Sequence, residues 1–404
     1  MITMRGPHRL VTPRRAIVVL TVFGCLFAGA SAATAQPDER AMTTAEIVAG
    51  FPTNSPGARS RLASKLLALG EPGLTDVARR LVAGGGGRDT AERFALNAVA
   101  VHASRFGTEP DRALAERALI AALAEAPAVE VKTFFLSQLQ IVGREPAVAA
   151  AAPLLAQAEL VEPAAQVMLA VKGDAAGAAL AAALGTAAGA GRITLVKAIG
   201  ELRVASAHDR LVGLANDADP MLRKVALAAL AGLADPRSSK TLIQAAERVG
   251  FTYDSANATA ALLDYARNLA ARDPKGAEKL CRQIMKKTDR PALLPVRAAA
   301  LEALAAAIGT DALPDLVKAV DHADRGYRQA ALRAAEPFTG VVPLRLWTRK
   351  ARSVNAERRA EIVAMTGRQG DRRALPFLRD SLAAGEPEVM LAAAAALAEM
   401  EGAD

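Results

Sequence analysis

The clearest candidate for chemistry in this sequence is a cluster of basic side chains between residues 343 and 379. Ten arginine and lysine residues there are set against three acidic residues, a local charge of +7, and Trp347, the single tryptophan of the chain, lies among them. Guanidinium groups bind anions and an aromatic ring supplies apolar contact, so the segment predicts an anion-binding patch with an aromatic anchor. The alternative is a solvated helix face with one packed tryptophan. The candidate binding residues are Arg345, Trp347, Arg349, Lys350, Arg352, Arg358 and Arg359.

Residue types that catalyse reactions or bind metals occur without the spacing that those functions need. After residue 35 the histidines are His102, His208 and His322, each more than 100 residues from the next, and Cys281 is the only cysteine. Neither H-E-x-x-H nor G-x-S-x-G occurs in that part of the sequence. His322 lies in the tetrapeptide DHAD, which fits a turn between helices. We therefore predict a protein that is not an enzyme and has no metal or cofactor site.

The distribution of charge argues against a general nucleic-acid-binding protein. The whole chain has 50 basic and 42 acidic residues, a net charge of +8. Residues 1–35 hold four arginines and no acidic residue, so the rest of the chain has 46 basic and 42 acidic residues and a net charge of +4. Since residues 343–379 carry +7, the remainder after residue 35 carries −3. The basic character is thus local, and only a local anion-binding hypothesis survives.

The N-terminus predicts export. A basic segment is followed by an apolar run over residues 16–30 and by Ala33-Thr34-Ala35, which together have the order of a cleaved signal peptide over residues 1–35. A retained membrane anchor is one alternative. A lipoprotein is another, because Cys25 follows a loose lipobox in which Phe23 is a misfit. No second apolar run of spanning length is expected, and we predict a periplasmic or envelope-associated protein.

The rest of the sequence repeats with a period of about 31 residues. Its marker is a basic residue followed by small or apolar residues at three, six and seven positions further on, as in Arg223 with Ala226, Ala229 and Leu230. Most steps between markers are 30 to 32 residues, and one step of 74 residues predicts two enlarged repeats near residues 236–296. The markers lie at positions 59, 93, 132, 162, 192, 223, 297, 328, 358 and 390.

These spacings predict pairs of helices. Residues three, four and seven apart share one helix face, and Asp-Pro pairs such as Asp219-Pro220 are typical of helix starts. A pair of this length buries its apolar face only by stacking on its neighbours, so we predict an all-α solenoid without a β domain. It forms a single domain over residues 36–404 with about eleven helix pairs. The recurrent basic residue is expected to pair with an aspartate of a neighbouring inter-helix turn.

A family resemblance supports this prediction. Residues 219–236, with the sequence DPMLRKVALAALAGLADP, resemble a HEAT repeat of the short kind found in phycobilin-lyase-like and many bacterial HEAT proteins. The resemblance covers roughly residues 55–400 and implies the fold rather than a function. Residues 90–310 also resemble HEAT segments of exported bacterial proteins that continue into a glycoside-hydrolase-like jelly roll. No strand-rich region for such a domain is present, so no hydrolase activity is implied.

Three functions are compatible with these observations. The first is an exported, non-enzymatic scaffold or adaptor that binds a protein partner of the cell envelope through the solenoid surface. The second is a binder of an anionic polymer or lipid head group through the basic 343–379 patch; nucleic acid is not the expected polymer, because an exported protein seldom meets it. The third, implied by the resemblance alone, is an accessory subunit of an exported carbohydrate-active system. A membrane is an expected partner only if the N-terminal segment is retained.

Overall fold

The computed structural model describes residues 42–84 and 86–401, apart from the side chain of residue 401. The predicted signal peptide and Cys25 lie outside the described residues. From Thr43 onward the chain forms one compact unit, and every regular element within the described ranges is a helix. The predicted all-α solenoid is confirmed for these residues.

Within residues 42–84 and 86–401, twenty-two α-helices alternate between two layers, which we call A and B. The A helices are α1 (Thr44–Val48), α3 (Gly70–Arg79), α5 (Glu109–Glu125), α7 (Glu145–Ala151), α9 (Gly173–Leu184), α11 (His208–Leu214), α13 (Ser239–Arg248), α15 (Pro274–Lys287), α17 (Leu313–Ala319), α19 (Val341–Ala351) and α21 (Leu375–Leu382). The B helices are α2 (Pro56–Ala68), α4 (Thr90–Ala103), α6 (Val129–Val142), α8 (Val161–Val171), α10 (Gly189–Glu201), α12 (Pro220–Leu233), α14 (Ala258–Ala270), α16 (Leu294–Ile308), α18 (Arg325–Ala335), α20 (Ala356–Arg368) and α22 (Pro387–Glu401). Short 3-10 helices are Ala152–Ala156, Ala205–Ala207, Pro236–Ser238, Pro291–Leu293, Gly309–Ala312 and Arg372–Ala374.

The B layer is the continuous part of the stack. Each A helix packs on the B helix that follows it, and each B helix packs on the next B helix from α2 to α22. Neighbouring A helices contact each other from α1 to α9 and between α17 and α19. Between α19 and α21 the main contact of α19 is with the 3-10 helix that precedes α21. The A layer is therefore more open than the B layer, and grooves form between its helices.

The repeat marker has a definite structural position. At eight of the ten predicted positions, the marker is the fourth residue of its B helix. The marker at 358 is wrong by one residue, because Arg359 has that position in α20, and Glu162 is the second residue of α8. The 74-residue step contains α14, whose fourth residue is Ala261, so it is divided into spans of 38 and 36 residues.

The arginine at this position fastens the loop that precedes its own helix. Arg223 donates hydrogen bonds to the carbonyl oxygens of Asp217 (2.8 Å) and Ala218 (2.9 Å). The expected pairing with a neighbouring turn occurs at Arg192, whose guanidinium lies 3.7 Å from the Asp217 carboxylate. Backbone carbonyls are thus the commoner acceptors at this position. One guanidinium can bond to several of them because it has five N–H donors. Arginines that donate to their own loop in this way are Arg59, Arg93, Arg223, Arg328 and Arg359.

One apolar stretch in the described part of the chain, Pro291–Ala319, passes a test for membrane spans by length and composition. The expectation of no second apolar run of that length is therefore wrong as a statement about composition. The stretch is four successive elements rather than one helix, and Gly309 interrupts it with a φ of 58°. Its α-helix α16 has 15 residues, about 22 Å, and packs on α14, α15 and α18. These contacts are those of a core helix of the solenoid.

Candidate functional site: an arginine groove between helices 19 and 21

Helix α19 is held at its start by the loop before α21. Gly340 precedes α19 with a φ of 120°, which a residue with a side chain rarely adopts, and its N–H donates to Asp371 (3.1 Å). The side chain of Arg373 also donates to Asp371 (2.8 Å) and lowers the pKa of that carboxyl, which keeps it ionised. The backbone at the start of α19 is therefore fastened across the groove that follows.

Three arginines form one face of α19. Arg345, Arg349 and Arg352 are four and three residues apart, so their side chains lie on the same side of the helix. All three are exposed, and no hydrogen bond or ion pair joins them to any other described residue. They line a groove of about 740 Å³ between α19 and α21. We call this the arginine groove.

The opposite wall of the arginine groove combines apolar and polar residues. Pro376, Phe377 and Ala384 lie on or just beyond α21 and alternate with Asp380 and Ser381, while Leu344 is an apolar residue of the α19 side. Phe377 and Leu344 also pack on the apolar core of the last helix pairs, which fixes their position. Asp380 is the one acidic residue of the lining, so the positive charge is concentrated on the α19 side.

Trp347 does not have the predicted role of a surface anchor. Its side chain has an exposed fraction of 0%, and with Pro343 and Ala351 it forms the buried face of α19. The indole Nε1 has no hydrogen-bond partner in the described structure. The prediction was wrong because the residues at 343, 347 and 351 are four apart and share the face opposite to the groove arginines. Trp347 is a core residue, as the alternative interpretation had it.

Two further candidates are used to hold the repeats together. Lys350 is nearly buried and its ammonium bonds to Asp321 (2.6 Å), which lies one repeat earlier. Arg358 is half-buried and donates to the carbonyl oxygen of His322 (3.4 Å). Both cations are therefore committed within the fold, and neither lines the arginine groove.

Arg359 lines the groove but is also tied down. It donates to the carbonyl oxygens of Ala351 (3.0 Å) and Val354 (3.4 Å) and to the Glu386 carboxylate (2.6 Å). It contributes charge at the edge of the groove without a guanidinium that is wholly available to a ligand. Of the seven predicted residues, the structure thus brings four to the groove and leaves three arginines unpartnered there.

The wall formed by α21 was not identified as part of a site. Phe377, Asp380 and Ala384 recur at helical spacing, which is a signal of a shared face, but that face is common to every amphipathic helix of the repeat. Only stacking brings α21 opposite α19. Arg373, also in the lining, was counted within the basic segment but is paired with Asp371 (2.8 Å).

His322 and Cys281, the other titratable residues of interest, have structural roles. His322 accepts a hydrogen bond from the N–H of Asp324 (3.0 Å) and packs edge-on against Tyr327, as a turn residue would. Cys281 is buried, and burial raises the pKa of its thiol to about 12. No group of three or more potential metal ligands occurs within residues 42–84 and 86–401.

No protein-family model matches this sequence, and no curated protein matches it. Several solved structures are similar to this chain, at low identity and with TM-scores below 0.5. An engineered protein is 16% identical over 89% of this chain and 98% of its own, with a TM-score of 0.35. Human deoxyhypusine hydroxylase in complex with glycerol is 18% identical over 66% of this chain and 98% of its own, with a TM-score of 0.27. Kap95p, in a structure with RanGDP, is 13% identical over 88% of this chain and 54% of its own, with a TM-score of 0.42. The function proposed below rests on the chain's own residues.

Proposed function

We propose that this chain is an exported, non-enzymatic scaffold that binds a protein partner of the cell envelope, with the arginine groove as a principal contact. The observation that carries the proposal is the set of three unpartnered arginines, Arg345, Arg349 and Arg352, on one face of α19. Other arginines of the basic segment, such as Arg359, are bonded within the fold. Because the three exposed arginines hold no part of the fold together, their clustering is better explained by a ligand than by stability.

A photo-crosslinking residue in the full chain at native expression tests the proposal. At Thr348, between the arginines, it should capture one dominant envelope protein. At Gln244, in the separate groove between α13 and α15, it should not, and this position is the matched control. Capture at Thr348 should also be lost when Arg345, Arg349 and Arg352 are replaced by Ala. Equal capture at the two positions, or none at either, would contradict the proposal.

Export is a separate part of the proposal and has its own test. It is supported by the order of basic, apolar and small residues over 1–35. Fractionation should place the protein in the periplasm, and sequencing of its N-terminus should begin near Gln36. A full-length chain in the membrane fraction would instead indicate a retained anchor, and a lipid on Cys25 would indicate a lipoprotein. A cytoplasmic full-length chain would refute export.

A second function is binding of an anionic polymer or lipid head group through the same groove. The exposed guanidinium groups favour it, since they are suited to phosphate and sulfate as well as carboxylate. Retention on heparin or on phosphatidylglycerol vesicles should then fall steeply with salt and should disappear in the triple Ala variant of Arg345, Arg349 and Arg352. Retention that is unchanged in this variant would exclude the groove as the site.

A further inference from the structure

The arginine groove has two chemically different walls, and this difference limits the chemical classes of ligand that fit it. Arg352, at the C-cap of α19, lies seven residues after Arg345, a rise of about 10 Å along the helix axis. The facing wall presents Pro376, Phe377 and Ala384, together with the polar side chains of Asp380 and Ser381 and with Arg373, which is paired with Asp371. A ligand that fills the groove therefore meets unpartnered cations on one side and apolar contacts, interspersed with polar groups, on the other.

We infer that the occupant is a short, extended, acidic segment of a protein in which carboxylate and apolar side chains alternate. This inference rests on the proposed function and specifies its partner. In an extended strand, alternate side chains point in opposite directions and residues two apart are about 6.6 Å apart. The arginines of α19 are about 6 and 4.5 Å apart along the helix axis. Two or three alternate carboxylates therefore match the cationic wall while the intervening apolar side chains face α21.

The distribution of charge favours a short segment over a long polyanion. Outside residues 343–379 the chain after residue 35 has a net charge of −3, so the excess of positive charge is confined to this segment of the sequence. Asp380 adds a negative charge to the α21 wall, where an anion would be repelled. A polyphosphate or a sulfated glycan is charged on every side and supplies no apolar group for Phe377. An acidic–apolar peptide satisfies both walls.

The choice between a peptide and a lipid surface follows from shape. A membrane is recognised by protruding apolar side chains and flexible cations, whereas the apolar residues that line the arginine groove lie between α19 and α21. Phe377 and Leu344 are held against the core and do not project. A peptide chain is narrow enough to enter between the two helices.

Direct binding of defined probes tests the inference with the purified mature chain. The first probe is a fluorescent peptide of about ten residues in which Glu and Leu alternate. The second has Ser in place of Leu, and the others are heparin and phosphatidylglycerol vesicles. The Glu–Leu peptide should bind roughly 10-fold more tightly than the Glu–Ser peptide, because about one apolar side chain's worth of contact is lost.

Protein variants locate the binding. Replacing Arg345, Arg349 and Arg352 by Ala should weaken the Glu–Leu peptide by roughly 10- to 100-fold. The matched control removes three exposed lysines elsewhere and should change nothing: K240A/K279A/K286A. A gain of binding rules out a folding artefact, and Asp380→Asn should raise the affinity roughly 2- to 5-fold by removing a like charge. The fluorescence of buried Trp347 should remain unchanged in every variant.

The outcomes separate the inference from the proposed function. Equal affinity for the two peptides, or tighter retention on heparin or vesicles than of the Glu–Leu peptide, overturns the inference in favour of a polymer or lipid. Failure of both peptides to bind while crosslinking at Thr348 still captures a protein overturns the inference and leaves the scaffold function standing. Groove-dependent binding of the Glu–Leu peptide without any captured envelope protein supports the inference and refutes the scaffold function.

Discussion

Removal of Arg328 should destabilise the C-terminal repeats more than removal of any exposed arginine. Arg328 is the fourth residue of α18, and its side chain is only 2% exposed. Its guanidinium forms a two-bond fork with Glu361 at 2.8 and 2.9 Å and a third bond with Glu357 at 2.6 Å. It also fastens the preceding loop through the carbonyl of Ala323 (2.8 Å). One side chain thus joins α18, its loop and α20.

The size of the effect follows from what the substitution leaves behind. Arg328→Ala leaves the carboxylate of Glu361, which is 8% exposed, with only the exposed side chain of Arg325, 3.5 Å away, as a cationic partner. Breaking a buried ion pair by removing one member typically costs about 3–5 kcal/mol. Replacing both members by apolar residues, as in R328M/E361L, removes the stranded charge and should cost clearly less than either single change.

Urea unfolding followed by the fluorescence of Trp347 measures this difference, since α19 lies between α18 and α20 in the chain. The matched control is Arg333→Ala, because Arg333 lies on the same helix but its ion pair with Glu302 is exposed and 3.6 Å long. The control should cost less than about 0.5 kcal/mol. The hydrogen bonds of Glu361 raise the pKa of Arg328 further, so the cost should not change between neutral and mildly basic pH. Equal costs for Arg328→Ala and the control would refute the reasoning.

Three other predictions concern helix packing, the buried thiol and an ionised turn residue. Gly367→Ala should lower the free energy of unfolding by about 1–3 kcal/mol, because a Cβ there would overlap Ala396 of α22. Gly213→Ala, in an open part of α11, should instead raise the free energy of unfolding by about 0.5–1 kcal/mol. Urea midpoints that move in the same direction for the two variants would contradict this contrast. Cys281, buried and with a pKa of about 12, should react with iodoacetamide at pH 8 only as fast as the protein unfolds, which mass spectrometry measures; rapid labelling of the native protein would show the thiol to be accessible. Asp235 has its pKa lowered to about 2, chiefly by a hydrogen bond from the side chain of Arg237. Because that folded-state pKa is below the unfolded value of about 3.9, the stabilisation is present at neutral pH and is lost between about pH 4 and pH 2. Asp235→Asn should therefore lower Tm at pH 7 but hardly at pH 2, and an equal change at both would be inconsistent with this titration.

The fold was predictable because its signals are local. One repeat contains all of them: spacings of three, four and seven residues, a cap, and a proline near the helix start. Helix α12, which holds Arg223, shows each of these signals. The predicted position of the repeat marker was wrong in α20, where the local signal was ambiguous. Arg358 and Arg359 are adjacent and chemically identical, so only the position of the helix start at Ala356 distinguishes them.

The candidate site was predictable only in part, because its two walls come from different repeats. The count of charges over 343–379 located the region but not the faces within it. Helical spacing within α19 would have separated Trp347 from Arg345 and Arg349, since these residues lie on opposite faces. The loss of Lys350 from the site could not be read in this way. Its partner, Asp321, is 29 residues earlier and meets it only after the repeats stack.

The location of the groove follows from a difference in packing between the two layers. In the B layer, each helix is covered by the next, and its fourth residue is often committed to a loop carbonyl, as in Arg223. The identity of a charged residue at this fourth position is therefore set by the needs of the fold. In the A layer, α19 contacts the α21 side mainly through the 3-10 helix Arg372–Ala374, so the arginines on the face of α19 that looks toward α21 have no partner among the described residues. A side chain on that face can be changed at little cost to stability, so the fold itself does not require arginine at these positions.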